Sequence, residues 1–188
     1  MVDKYIDKYL DEMKDIIQSI DRSKIKDTLS ILLDTKANRG RLFILGVGGS
    51  AANASHAVND FRKIAGIESY TPVDNVSELT AWTNDNGFES IFINWLKTSR
   101  LNKNDTIMIL SVGGGTQTTS KNLVLAMNHA KEVGARIVSI VSRDGGNALK
   151  MSDACILIPP VSEERITPHA ESWQVVLLHL IANAINQL

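Results

Sequence analysis

Four side chains in this sequence stand at spacings that suit acid–base or metal chemistry. His56 and Asp60 are four residues apart in a segment that reads as helix, so both fall on one face. Glu171 and His179 are eight apart in a second such segment, a little over two turns, and nearly share a face. Two helices that each present an imidazole and a carboxylate could complete a tetrahedral zinc-type site. Pairs of this kind are also common as plain surface ion pairs, and spacing does not separate the two readings. The other histidines carry less. His129 lies mid-helix near Lys131 and Glu132 and is expected to be solvated, while His169, after Pro168 at a helix start, could face a ligand.

Two glycine-rich loops offer a different chemistry. Gly46–Ser50 and Ser111–Thr119 each follow a short apolar run and lead into a helix. Glycine lets backbone N–H groups approach an anion, and a helix N-terminus adds partial positive charge. Neither loop is a P-loop, because no Gly-Lys-Ser/Thr follows. Gly46-Val47-Gly48 starts like a dinucleotide fingerprint, with Ala51 at its third glycine, but no acidic residue ends the next short strand, so a nicotinamide site is not expected. The hydroxyls of Thr116, Thr118, Thr119 and Ser120 favour a phosphate or sugar; tight turns without a ligand are the alternative.

The elements that must hold these groups follow from periodicity. Tyr5, Ile6, Tyr9, Leu10, Met13, Ile16, Ile17 and Ile20 recur at three and four, which marks a helix; Asp21 can cap a second, through Ile25, Leu29, Ile31, Leu32 and Leu33. The apolar stripe of this extension, residues 1–38, packs either on its own domain or on a second subunit. Strands are expected at Arg41–Leu45, Tyr70–Val73, Asp105–Leu110, Arg136–Val141 and Ala154–Ile158. Helices are expected at Ala51–Ile64, Val76–Trp82, Phe88–Lys97, Gln117–Glu132 and Pro168–Leu188, with a break at Asn84–Gly87 and a loop at Arg143–Gly146. Wholly apolar strands alternating with helices imply a three-layer α/β/α fold around an open parallel five-stranded sheet, in one domain over 1–188; a flavodoxin-like strand order is an expectation that the alternation itself does not fix. Ligands in such sheets sit at the carboxyl ends of the strands, where both glycine loops fall.

Composition bounds the function. Lys plus Arg total 20 and Asp plus Glu 21, a net charge of −1, which argues against a nucleic-acid or anionic-membrane partner. Cys155 is the one cysteine, so no disulfide forms within the chain, and its apolar run reads as a buried strand. The start MVDKYIDKYLDEMKD is too charged for a signal peptide, and no apolar stretch reaches a membrane span, so a cytoplasmic location is expected.

Several segments together resemble the sugar isomerase (SIS) domain family and, within it, the phosphoheptose isomerases. Gly46–Asp60, GVGGSAANASHAVND, is similar to that family's GNGGSAADAQHFAAE. Glu78–Phe92, ELTAWTNDNGFESIF, is similar to its ALTAIANDYGYDEVF, and Arg136–Gly146 to its strand and TGRDGG loop. His169–Leu180 is similar to its final helix. The resemblance implies conversion of sedoheptulose 7-phosphate to a heptose 7-phosphate through an enediol, as in lipopolysaccharide or capsule heptose biosynthesis. It also implies a homotetramer with sites at subunit boundaries.

Residue by residue, the resemblance makes His56 a ligand of zinc or another divalent cation and Asp60 a ligand and catalytic base. It makes Glu171 a sugar or metal contact and His179 a ligand and acid. Gly48, Gly49 and Ser50 match sugar-contacting positions, as do Asn84 and Asp85, and Ser111 and Thr116 match the loop that holds phosphate. Val47, Val112 and Gly113 stand where the family carries polar side chains, Asp60 is one methylene shorter than the family's glutamate, and Glu171 replaces a neutral amide. The family arginine beyond the metal residues aligns with Ile64, so Arg62 and Lys63 inherit no role; Arg143 falls in a loop motif and is expected to be structural. The departures leave two alternatives to a phosphoheptose isomerase. One is an isomerase of a different phosphosugar, and the other is a non-catalytic sugar-phosphate sensor or protein-binding adaptor.

Overall fold

A computed structural model describes residues 1–188 of the protein. Five strands form one all-parallel sheet: β1 (Leu42–Gly46), β2 (Ser69–Tyr70), β3 (Thr106–Leu110), β4 (Arg136–Val141) and β5 (Ala154–Leu157). Their order is β2-β1-β3-β4-β5, the flavodoxin-like order expected. A strand's side chains alternate between faces, and here both faces are apolar because both are covered. Leu42, Ile44, Met108, Leu110, Val138, Ile140 and Ile156 face one core. Phe43, Leu45, Ile107, Ile109, Ile137, Val141 and Cys155 face the other.

Eight helices complete the layers. α2 (Arg22–Ala37), α3 (Gly49–Lys63) and α8 (Ile166–Gln187) cover the first face; α5 (Ile91–Thr98) and α6 (Lys121–Val133) cover the second. Asp21 caps α2 through the N–H of Ser23, and Gly134, at φ 77°, ends α6 in the left-handed conformation that glycine adopts without a Cβ penalty.

Several local expectations are corrected. β2 is two residues long, because Pro72, lacking an N–H, opens a 3₁₀ turn at Pro72–Asp74. α4 (Val76–Asn86) runs through the expected break: Asn84 and Asp85 form its last turn, and Gly87, at φ 83°, is the stop. α6 begins at Lys121 rather than near Gln117. Thr116 Oγ1 accepts the N–H groups of Thr118 (3.2 Å) and Thr119 (2.9 Å), and that local turn competes with helix. A short α7 (Gly146–Met151) follows the Arg143–Gly146 loop. His129 is largely covered rather than solvated, its side chain 11% exposed beside Glu132.

α1 (Val2–Ser19) divides its apolar stripe. Ile16 is buried and Met13 and Ile20 pack on the first core, whereas Tyr5, Ile6, Leu10 and Ile17 stay exposed. A polar cluster pins the helix to α8. Arg165 grips Glu12 with two hydrogen bonds, Nε to Oε2 at 2.9 Å and Nη2 to Oε1 at 2.8 Å, and His169 Nε2 lies 2.8 Å from Oε2. Tyr9 stacks on His169 with ring centroids 4.5 Å apart. His169 is thus buried in a structural contact and faces no open cleft. The bidentate Arg165 guanidinium, with help from His169, holds the Glu12 carboxyl down at about 2.

Candidate active site

α3 and α8 lie side by side, clamped where Asn53 Nδ2 donates to the Glu171 carbonyl (2.9 Å) and to Gln174 Oε1 (3.0 Å). This contact sets the register of the two helices. It brings His56 and Asp60, one turn apart on α3, against His179 on α8. His56 Nε2 and His179 Nε2 are 2.8 Å apart; Asp60 Oδ2 lies 3.3 Å from the first and 3.2 Å from the second. Asp60 is buried and its other oxygen accepts from Asn59 Nδ2 at 3.0 Å, while both imidazoles are about half exposed. One ligand atom from each of the three lies within 4.8 Å of the others.

The three groups fit a cation. A tetrahedral zinc with bonds of ~2.0–2.1 Å to imidazole nitrogen and carboxylate oxygen has ligand-to-ligand edges of about 3.3 Å, close to the three separations here. Two neutral imidazoles and one carboxylate also suit borderline divalent metals by donor type.

Glu171 lies elsewhere. Its carboxyl sits over Gly49 at the N-terminus of α3, where the unpaired N–H groups favour negative charge, and a Cβ on Gly49 would collide with it. A side chain at position 49 would displace that carboxyl, which is the far end of a flexible side chain. The cluster of three thus forms without Glu171.

At the carboxyl ends of β1, β3 and β4 opens a cleft of about 300 Å³, lined by Ser50, Ser111, Gly113, Thr116 and Arg143 among others. It lies at the switch point, where the chain order reverses between β1 and β3. Gly48, at φ 64°, caps α3 and turns the chain into it; Ser50 is buried at its wall. Ser111 Oγ accepts the Gly114 N–H at 3.1 Å and holds the loop's shape. Gly114, at φ 69°, packs so tightly on the Gly145 carbonyl that no side chain fits, which joins the β3 and β4 loops. Asn84 and Asp85 are exposed, hydrogen-bonded to each other at 2.8 Å, and line no part of this cleft. Arg62 is committed to the fold, donating to the Ser69 carbonyl (3.1 Å) and lying over the Tyr70 ring.

Fold and site together define a class: a doubly wound α/β domain with an anion-sized cleft at its switch point and a His–Asp–His cluster on the adjoining helix pair. The SIS domain profile matches residues 5–142, and the chain belongs to that family. The chain is 29% identical over 168 residues to the phosphoheptose isomerase of Helicobacter pylori (strain P12), covering 87% of this chain and 83% of the relative. It is 33% identical over 166 residues to the lincomycin biosynthesis protein LmbN of Streptomyces lincolnensis, covering 82% of this chain and 58% of that protein. In structure, phosphoheptose isomerase GmhA from Neisseria gonorrhoeae matches with a TM-score of 0.84 over 100% of this chain and 97% of that one, at 23% identity, a likeness of fold.

Proposed function

We propose that the protein is an aldose–ketose isomerase of a phosphorylated sugar, with sedoheptulose 7-phosphate as substrate and a heptose 7-phosphate as product. The observation that carries this reading is the convergence of His56 and Asp60 of α3 with His179 of α8, beside the cleft that the first turn of α3 helps to wall. Ser50 and His56 are six residues apart, about 9 Å along α3, a span suited to a sugar anchored by its phosphate at one end and reacting at the other. The phosphoheptose isomerase relatives support the substrate class.

Isomerisation moves a proton between C1 and C2 and protons between O1 and O2, through an enediol. Asp60 is the base: it is the one buried carboxylate of the cluster, so its oxygen meets the substrate carbon with little competing water. His179, half open to solvent, passes the proton between the two oxygens. His56, Asp60 and His179 would hold a divalent cation, zinc in this reading. A bound cation supplies charge stabilisation for the developing enediolate. Gly48, Gly49, Ser50, Ser111 and Thr116 bind sugar hydroxyls and phosphate through amides and hydroxyls; Glu171, over Gly49, and Asn84 and Asp85, outside this chain's cleft, are given to the sugar by the resemblance alone. The exposed face of α1 and the half-open cluster are consistent with a homotetramer whose sites lie at subunit boundaries. A cytoplasmic location belongs to the same reading; no helix is long and apolar enough to cross a membrane.

A second reading, a sugar-phosphate sensor, is favoured by Val47 and Val112, which put apolar side chains on the cleft wall. Turnover decides between them. Sedoheptulose 7-phosphate is incubated with chelator-stripped protein, with and without zinc, and loss of the ketose is followed by mass. Zinc-dependent turnover that disappears in Asp60→Asn and His179→Ala is the expected result. A ligand-induced rise in melting temperature without turnover overturns the sedoheptulose 7-phosphate reading and leaves a different phosphosugar or a sensor, which turnover across a phosphosugar panel separates.

A further inference from the structure

The cleft holds one cation that the fold does not use. Arg143, two residues after β4, is exposed and lines the cleft together with Ser111 and Thr116, and its guanidinium makes no hydrogen bond or ion pair within the chain. The other basic group nearby, Lys121, is occupied by Glu89 at 3.0 Å. Asp144 also lines the cleft, but its Oδ1 is turned to its own loop, accepting the Gly146 N–H at 3.2 Å.

Two further features point the arginine at an anion. The first is backbone conformation. Four non-glycine residues have positive φ, and Arg39 and Arg100 follow the ends of α2 and α5, where left-handed caps are common. The remaining two, Ser120 (52°) and Arg143 (54°), both line this cleft. A left-handed L-residue is disfavoured by roughly 1–2 kcal/mol, and such strain gathers at ligand sites. The second is the loop after β3. Val112 and Gly113 bring no side-chain donor to it, and the N–H groups of Gly113 and Gly115 have no acceptor within the chain. The atom nearest to a Cβ built on Gly113 is Arg143 Cδ, at 3.8 Å, so the arginine stem covers the space that a side chain there would share. Unused amides and an unused guanidinium line the same cleft and together make an anion cradle.

We propose that Arg143 is the phosphate-binding cation of this site, contacting the substrate's phosphoryl oxygens together with the free amides of Gly113 and Gly115. The proposal rests on the phosphosugar reading above. It makes Arg143 a specificity residue: it selects a phosphorylated sugar over the free sugar by charge, where the loop itself offers only amides and neutral hydroxyls.

The test compares wild type with Arg143→Gln and Arg143→Lys, both of which keep a Cβ and therefore the same backbone strain. Inorganic phosphate binding by calorimetry, KM and kcat for sedoheptulose 7-phosphate, and the ligand-free melting temperature are measured. Arg143→Gln is expected to weaken phosphate binding and raise KM about tenfold to a hundredfold, the range for a lost charge-assisted hydrogen bond, with kcat and ligand-free melting temperature retained. Arg143→Lys falls between, because a point charge replaces the planar fork. Equal phosphate binding by wild type and Arg143→Gln overturns the proposal, as does failure of wild type to bind phosphate. A fall in ligand-free melting temperature without selective loss of phosphate overturns it too, since a loop-bracing role would do that. If wild type turns over no sugar but binds phosphate through Arg143, the isomerase reading fails and the cradle stands.

Discussion

Asp60 combines burial with two imidazole neighbours, and the proposed mechanism makes it the base. Replacing it with Asn keeps the shape and removes the base. Turnover of the phosphosugar is expected to fall about 10²–10⁴-fold, the range for a lost general base, measured as kcat at saturating substrate and zinc. Zinc affinity, read by chelator competition, is expected to fall as well, since one of three ligands is lost. Gly49 is the other position where a single atom matters. Gly49→Ala puts a methyl where the Glu171 carboxyl lies, and the expected loss of melting temperature, small because that carboxyl ends a flexible side chain that can swing aside, should be recovered in the double variant Gly49→Ala, Glu171→Ala. Failure of that rescue would mean the clash is with something other than the carboxyl.

Elements fix where those residues meet. The central strand β3 is buried on both faces, with Ile109 on one and Met108 on the other. Ile109→Ala is expected to cost about 2–5 kcal/mol, measured by denaturant unfolding, since neighbouring strands hold the cavity open. The Glu12–Arg165–His169 cluster binds α1 to α8 by charge rather than by volume, and its signature is in pH. Glu12 titrates at about 2 in the folded chain against 4.5 for the ordinary group, so the unfolded chain takes up this proton first on acidification. The stabilisation is therefore complete above about pH 5 and is lost as pH falls toward 2, a few kcal/mol in all at about 1.4 kcal/mol per unit. Unfolding free energies measured from pH 6 to pH 3 should fall more steeply in wild type than in Glu12→Gln.

For the whole molecule, the exposed apolar row Tyr5, Ile6, Leu10 and Ile17 sets the expectation of self-association. The Leu10→Lys, Ile17→Lys double variant should lower the mass measured by sedimentation or light scattering while leaving the far-ultraviolet spectrum intact. An unchanged mass would remove α1 from the contact. A variant of lower mass that also loses turnover would connect assembly to the site, as the half-open His56 and His179 side chains suggest.

Composition, the alternating apolar runs and the glycine-ended strands were enough to determine the parallel sheet, its layers and the two loops at its carboxyl edge. These are local periodicities, and strands apolar on both faces favour a parallel sheet covered on both sides, while the strand order is set by the tertiary structure. The pairing of His56 with Asp60 was legible for the same reason, being one helical turn. The sequence did not show that His179 completes the cluster while Glu171 turns to Gly49. Eight residues along one helix give a shared face, but which face meets α3 is decided by the Asn53–Gln174 clamp between helices. Asn84 and Asp85 were placed in a break because their types favour turns, whereas Gly87, with its positive φ, ends the helix after them. His169 was ambiguous by sequence because its partner, Glu12, lies 157 residues away and an ion pair of that range leaves no periodic trace. Arg143 was hidden likewise: its loop motif is local, but its free guanidinium and the unused amides of the loop after β3 come together only once β3 and β4 lie side by side.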